Sequence, residues 1–427
     1  LSNTDAAPAN TEQAGPMRPF LTLGLLLLVY IFNFADRVLL GVMAMPIKAD
    51  LGLSDTELGL LGGTAFALFY ATLGVPVAWA ADRHSRTWII TVSLTLWSGF
   101  TAICGMAGSF IHLFLARLGV GVGEAGGVAP SYSMIADLFP PDQRARALGV
   151  YSFGIPIGSA IGLAFGGMIA TAFDWRVAFL TMGIAGLVIA PVFRLLVRDP
   201  MRGGFDAHAQ TPRPSVREAA RLLLAKRSFW LLSFGSALAS TASYGISFWV
   251  PSFYVRSFGL SVAQISLIYA GLILVGGLAG SWAGAWLGDR FGPRRRSVYF
   301  LIPLTAMLVS LPFFIGAVMT GDVTLSLVLL LVPTALGSMG FGTILTVVQQ
   351  VVPASLRTTS SSVFLLINNL IGLGLGSAIL GLISDSLHQR FGDESLRYAL
   401  LAGSLFYLAA ALLYALASRR VGRDWVS

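Results

Sequence analysis

The chain has 427 residues, of which 56% are hydrophobic and 11% charged, with a formal net charge of +8. Soluble domains carry about 25% charged residues, so this composition excludes a disordered chain, a disulfide-stapled secreted domain and a cytosolic enzyme. The single cysteine, Cys104, can neither close an internal disulfide nor build a cysteine metal site.

Residues 1–17 are polar and lack the apolar core of a signal peptide, and are expected to form a cytoplasmic tail. Apolar stretches follow at 19–45, 58–81, 88–116, 110–138, 147–173 and 177–193, then at 228–255, 257–288, 297–321, 323–356, 358–384 and 398–418. Each matches the roughly 20 apolar residues that cross a hydrocarbon core of about 30 Å as a helix. None alternates in the manner of a β-barrel strand. The expectation is an all-α membrane protein of twelve transmembrane helices in two six-helix halves.

With an even number of spans both termini share one side. Placing them inside puts 21 of the 28 Lys and Arg in inner segments and 5 in outer ones, leaving Arg37 and Arg117 within spans. The positive-inside rule then sets the orientation, with both termini cytoplasmic in a cell membrane. The basic excess is therefore topological and implies no nucleic-acid partner. The longest inner connection, 198–227, carries Asp199-Pro200, Gly203-Gly204, Pro212 and Pro214, then an amphipathic run at 216–226. It is expected to link bundles 18–197 and 228–418 through a short helix on the membrane surface, with 419–427 as a cytoplasmic tail.

Ten spans carry no charge. The exceptions are Asp36 and Arg37 in span one and Arg117 and Glu124 in span four. A charge at midspan costs at least about 2.5–3.5 kcal/mol on insertion scales, and these four sum to zero. Arg117 and Glu124 lie two turns apart on one face, whereas Asp36 and Arg37 point about 100° apart. In one reading the arginines hold an anionic cargo group, while Asp36 or Glu124 takes up and releases a proton. In the other, the four form a permanent structural cluster between helices.

Asn33 lies one turn before the span-one pair. Ser240, Thr241, Ser243, Tyr244 and Ser247 make span seven polar, and Asn368 and Asn369 lie in the middle of span eleven. Most serines and threonines in such settings bond their own backbone, but an amide in lipid must find a partner. Asn33, Tyr244, Asn368 and Asn369 therefore join Arg37, Arg117 and Glu124 as candidate substrate-binding residues, with Asp36 and Glu124 as candidate proton sites. Span five carries Gly149, Gly154, Gly158, Gly162, Gly166 and Gly167 around Pro156, a pattern that permits close packing and a flexible kink.

The two halves repeat. AWAADR at 78–83 answers AWLGDR at 285–290, and Pro140 with Arg144 answers Pro353 with Arg357. A six-plus-six plan with a site between the halves is a transporter architecture. Asp82-Arg83-His84-Ser85-Arg86 and Asp289-Arg290-Phe291-Gly292-Pro293-Arg294 resemble the loop signature of the major facilitator superfamily, over about 18–418. The first copy departs from it at Ala78 and Ser85, where glycine is usual. An Asp at a helix end can cap a neighbouring helix and the arginines can pair with acidic groups. Asp82, Arg83, Arg86, Arg144, Asp289, Arg290 and Arg357 are thus candidate gating residues, unless the basic ones only set topology.

Within that superfamily, Asn33-Phe34-Ala35-Asp36-Arg37 with Arg117 and Glu124 fits both the anion:cation symporters and the Spinster lipid transporters. GVGEA at 121–125, APSYSMIADLFPPDQRARALGVYSFGIPIGSAIG at 129–162, LSDTELGLLGG at 53–63 and DWRVAF at 174–179 resemble the Spinster family. That resemblance implies proton-coupled alternating-access transport of a lysolipid by a monomer without cofactor, Arg37 meeting an anionic headgroup and Asp36 carrying the proton. A sugar-acid symporter or a multidrug antiporter is the alternative. An intramembrane enzyme would need a nucleophile–base or metal set. His84, His112, His208 and His388 all fall in loops or span ends, Cys104 has no neighbouring base, and no phosphate-binding loop is present.

Overall fold

The computed structural model describes residues 19–202, 216–292, 294–353 and 356–425. The expected tail at 1–17 and the middle of the linker lie outside the described residues. Among the described residues twelve helical spans, some of them broken, follow one another in alternating directions. In the first half they are Pro19–Val42, Asp55–Gly62 with Thr64–Ala81, Arg86–Cys104, Phe110–Glu124 with Val128–Leu138, Pro141–Ser152 with Gly154–Ala172, and Trp175–Leu196. In the second they are Arg227–Phe258, Val262–Phe291, Val298–Met319, Val323–Gly337 with Phe341–Gln350, Arg357–Ile367 continuing through Asn368–Leu373 into Gly374–Phe391, and Ser395–Ser418. The linker ends in the helix Val216–Ala225.

Among the described residues ten stretches are long and apolar enough to span a membrane, and one of them, Thr359–Ser418, contains both spans eleven and twelve. Arg227–Phe258 falls outside them because it carries eight serines. It is nonetheless packed against spans one, eleven and twelve, where its hydroxyls find partners within the protein. The apolar run 88–116 is not one helix. Span three ends at Cys104, and Ser109 caps the next span by accepting from the His112 backbone amide at 3.3 Å. Hydropathy is blind to a turn built from apolar and small residues.

The repeat extends further than the loop motif. Gly52 and Gly259, 207 positions apart, end their helices with φ of 65° and 68°, a left-handed conformation that favours glycine. Two residues on, Ser54 and Ser261 each cap the following helix. Ser54 Oγ accepts from the Glu57 amide at 3.1 Å and Ser261 Oγ from the Gln264 amide at 3.2 Å, while the Glu57 and Gln264 side chains return the contact. The motif pairs Asp82 and Asp289 share the same spacing, so both second spans are built from one plan.

The halves meet along spans two and eleven and along spans five and eight. At Gly59 a Cβ would lie 2.3 Å from the Ser377 carbonyl oxygen, so only glycine lets these backbones touch. On the face away from the termini, Asp55 accepts from Arg256 through both terminal nitrogens, from Lys48 Nζ at 2.5 Å and from Ser384 Oγ at 2.7 Å. Asp385 caps span two, accepting from the Asp55 and Thr56 amides at 3.1 and 2.7 Å. Hydrogen bonds from Thr64 to Gly374 and from Ser377 to Gly59 continue the seam inward. The hydrogen bonds described above between the halves fall on this side or at mid-depth. On the same face the exposed Asp50 is held below the usual carboxylate range by its hydrogen bond from Arg176, aided by Trp175.

Candidate functional site

Span one presents two charges in different directions. Asp36 is fully buried and its Oδ2 accepts from Thr101 Oγ1 of span three at 2.8 Å. Arg37, one residue on, turns instead toward span four, where its Nε donates to Glu124 Oε2 at 2.6 Å. The helical advance of about 100° per residue sends the neighbours to different helices. Glu124 is fully buried and Arg37 nearly so, with 12% of its side chain exposed.

Local sequence places Glu124 at a discontinuity. It ends the helix Phe110–Glu124, and Ala125, Gly126 and Gly127 turn before Val128–Leu138 begins. The glycines of GVGEAGG let this strip of span four lie against its neighbours: a Cβ at Gly121 would sit 2.3 Å from the Phe66 carbonyl oxygen. Broken helices are where transporters present polar groups at membrane depth. The Arg37 guanidinium is boxed by rings, with its carbon 4.5 Å from the Tyr70 centroid, 4.9 Å from Phe66 and 5.0 Å from Phe34. Such faces stabilise a desolvated cation without using its hydrogen-bond donors.

Arg117 is buried, 5.5 Å from the Phe66 ring, and makes no hydrogen bond or ion pair among the described residues. It acts electrostatically on Asp36. Buried and without a protein hydrogen-bond partner are Asn33 Oδ1, Asp36 Oδ1, Arg37 Nη2, Arg117 Nε and Nη1, and Glu124 Oε1. Buried polar groups are ordinarily bonded. Here six polar atoms on two helices keep donor and acceptor capacity to spare.

From the second half, Tyr244 of span seven lies within electrostatic reach of Arg37 and Tyr70. Asn368 begins a π-helical turn, Asn368–Leu373, and its Oδ1 accepts from Ser240 Oγ at 2.8 Å. Such turns are rare and concentrate at functional sites; no sequence periodicity announced this one. Asn368 faces a cavity of about 110 Å³ inside the second half, lined also by Ser240, Ser243, Phe314, Phe364 and Tyr407. Asn369 is half-buried beside it. The structure therefore gathers Asn33, Asp36, Arg37, Arg117, Glu124 and Tyr244 around the first half's core and sets Asn368 on a separate, mostly apolar chamber.

The motif residues sit at the termini face. Arg86 is buried: its Nε donates to Asp199 Oδ1 at 2.8 Å, its Nη2 to the Pro200 carbonyl at 2.7 Å and its Nη1 to Ser133 Oγ at 3.0 Å, and it pairs with Asp137. Arg202 reaches the carbonyls of Ala81, Asp82 and His84. The start of the linker is thereby strapped to the loop after span two. Arg86→Ala is expected to release it, seen as several-fold faster tryptic cleavage after Arg198 and Arg202; an unchanged rate would mean that Arg202 alone holds the strap. Asp82, Asp289 and Arg290 are exposed, and their side chains make no hydrogen bond or ion pair among the described residues. Arg83 lies over its own Trp79, 3.7 Å from the centroid. Arg144 is half-buried at the start of span five, and the Arg357 side chain lies outside the described residues. Asp55, Arg256 and Asp385, the partners across the opposite face, went unread in the sequence because they sit at span ends like ordinary loop charges.

Two six-helix halves with charges buried at mid-depth define a membrane transporter, and the sequence profile described as Major Facilitator Superfamily matches residues 26–377. The chain belongs to that superfamily, whose members are transporters rather than enzymes. Within it the chain is of Spinster type. It is similar to a crystal structure of a bacterial homologue of the human lysosomal transporter Spinster in an inward-facing, unoccupied conformation, with TM-score 0.87 and 32% identity over 96% of this chain and 98% of that one. It is also 33% identical to an MFS-type efflux pump of Mycolicibacterium smegmatis, over 97% of this chain and 96% of the other. A hexuronate transporter of Bacillus subtilis shares 32% identity over 57% of this chain and 58% of its own length.

Proposed function

We propose that this chain carries an amphipathic anion of the lysolipid class across the membrane by proton-coupled alternating access. The observation that carries the reading is the buried set Asp36, Arg37, Arg117 and Glu124, neutral in sum yet with unpartnered donors and acceptors. An anionic headgroup entering beside Arg37 adds a negative charge where charge is expensive. Protonation of Glu124 or Asp36 restores neutrality and releases Arg37 from Glu124, so cargo and proton favour each other's binding. The termini face is the cytoplasm, the halves 18–197 and 228–418 rock as a monomer about the site, and the closed opposite face corresponds to an inward-open state.

Likeness to an efflux pump and to a hexuronate transporter supports a second reading, a small organic anion or drug handled by the same four charges. Proteoliposome uptake of a labelled lysolipid and a labelled sugar acid, each with and without a pH gradient, separates the two. Gradient-dependent lysolipid movement is expected, with Asp36→Asn or Glu124→Gln removing the pH dependence. Sugar-acid movement alone would discard the lipid cargo, and retained pH dependence in both variants would place coupling elsewhere.

A further inference from the structure

Spans seven and twelve part near the termini face to leave an open groove of about 350 Å³ on the outer wall of the second half. Two exposed arginines, Arg227 and Arg420, stand at its mouth, and Leu231, Phe234, Leu413 and Leu416 form its floor. Trp230 closes one side. Its indole nitrogen donates to the Leu223 carbonyl at 3.0 Å and its ring stacks on Phe234 at 6.1 Å, so the wall is fixed.

Neither guanidinium makes a hydrogen bond or ion pair among the described residues. The carboxylate closest in sequence, Asp424, is engaged elsewhere: its Oδ2 accepts from the Ser228 amide at 3.0 Å, while Lys226 Nζ bonds its carbonyl at 2.9 Å. Below the groove, Leu405, Leu408, Leu412 and Leu416 expose between 40% and 61% of their surface on one face of span twelve. The twelve residues from Leu405 to Leu416 rise about 17 Å along the helix, close to one leaflet of a hydrocarbon core of about 30 Å.

We infer that this groove binds an anionic diacyl phospholipid of the leaflet at the termini face. The phosphodiester lies between Arg227 and Arg420, and one acyl chain runs down the Leu416–Leu405 stripe. Two cations with no paired carboxylate at headgroup depth favour a net negative lipid over a zwitterionic one. The membrane wall below them is closed to a soluble phosphate, which has no use for the apolar floor. This site lies ten or more residues, about 15 Å of helix, from Tyr244 along span seven and does not depend on the identity of the cargo.

The test is lipid binding to the purified full chain, by native mass spectrometry during titration with dioleoylphosphatidylglycerol. The Arg227→Ala/Arg420→Ala protein should bind it about thirtyfold more weakly, at about 1 kcal/mol per arginine near the surface. Arg294→Ala/Arg295→Ala, which removes as much charge from the loop after span eight, should bind as the wild type does. Leu413→Trp, which fills the floor and keeps both arginines, should also weaken binding, and dioleoylphosphatidylcholine should bind weakly to every variant. Equal affinity of the wild type for the two diacyl lipids, or no loss in the double variant, would overturn the site. Preference for a lysophosphatidylglycerol over the diacyl lipid would overturn it in favour of a cargo portal.

Discussion

Arg37→Ala is expected to abolish transport and to lower the unfolding temperature in detergent. The substitution removes the only ion-pair partner of a fully buried carboxylate among the described residues. Losing one member of such a pair costs about 3–5 kcal/mol, most of it the charge left behind. It also empties the ring box of Phe34, Phe66 and Tyr70 of its cation. Adding Glu124→Gln separates structure from function: the double variant should regain stability, since Glu124 no longer leaves a buried charge unpaired, yet remain inactive because the cation proposed to meet the headgroup is gone and Arg117 alone does not replace it. Transport by the double variant would reduce the pair to a structural clasp. Arg37→Lys should fold and transport poorly, since an ammonium keeps the charge but loses the planar fork that bonds a phosphate or carboxylate in two places.

Asp55→Asn should open the face away from the termini. Asp55 is 2% exposed and receives Arg256, Lys48 and Ser384 together, joining spans two, seven and eleven. An amide can keep some of these hydrogen bonds but leaves the Arg256 guanidinium, itself only 6% exposed, without its counter-charge. A penalty of about 3–5 kcal/mol amounts to a shift of roughly a hundredfold or more in the balance between closed and open faces. Spin labels at Met106 and Gln389, exposed on that face in different halves, report it directly in a Cys104→Ser background. The distance between them should lengthen and broaden in the variant. An unchanged distribution would mean that the glycine seam of spans two and eleven, rather than the charge cluster, holds the face shut.

The two expectations use different parts of what the chain makes legible. Asp36, Arg37, Arg117 and Glu124 stood out because charge inside an apolar run is rare and costly, and the structure brings them together in the first half. The turns within spans were harder to see. The break after Glu124, the π turn at Asn368 and the loop between Cys104 and Phe110 occur in apolar or glycine-rich sequence, where a helix and its interruption have similar composition. Span seven was legible as a charge-free run made polar by its hydroxyls. Its serines make it too polar to stand alone in lipid, and the surrounding helices make it tolerable.

By itself the sequence determined the number of crossings, the six-plus-six plan and which charges lie inside the membrane. Those follow from the free energy of placing each residue in hydrocarbon or in water, a property of local composition. Tertiary structure decided which carboxylate Arg37 meets, that Arg117 has no ion-pair partner among the described residues, and that Asp55, Arg256 and Asp385 join the halves on the face away from the termini. The pairs concerned are 87 and 201 residues apart. Helical spacing says which face of a helix a side chain occupies, but only packing says which helix stands opposite.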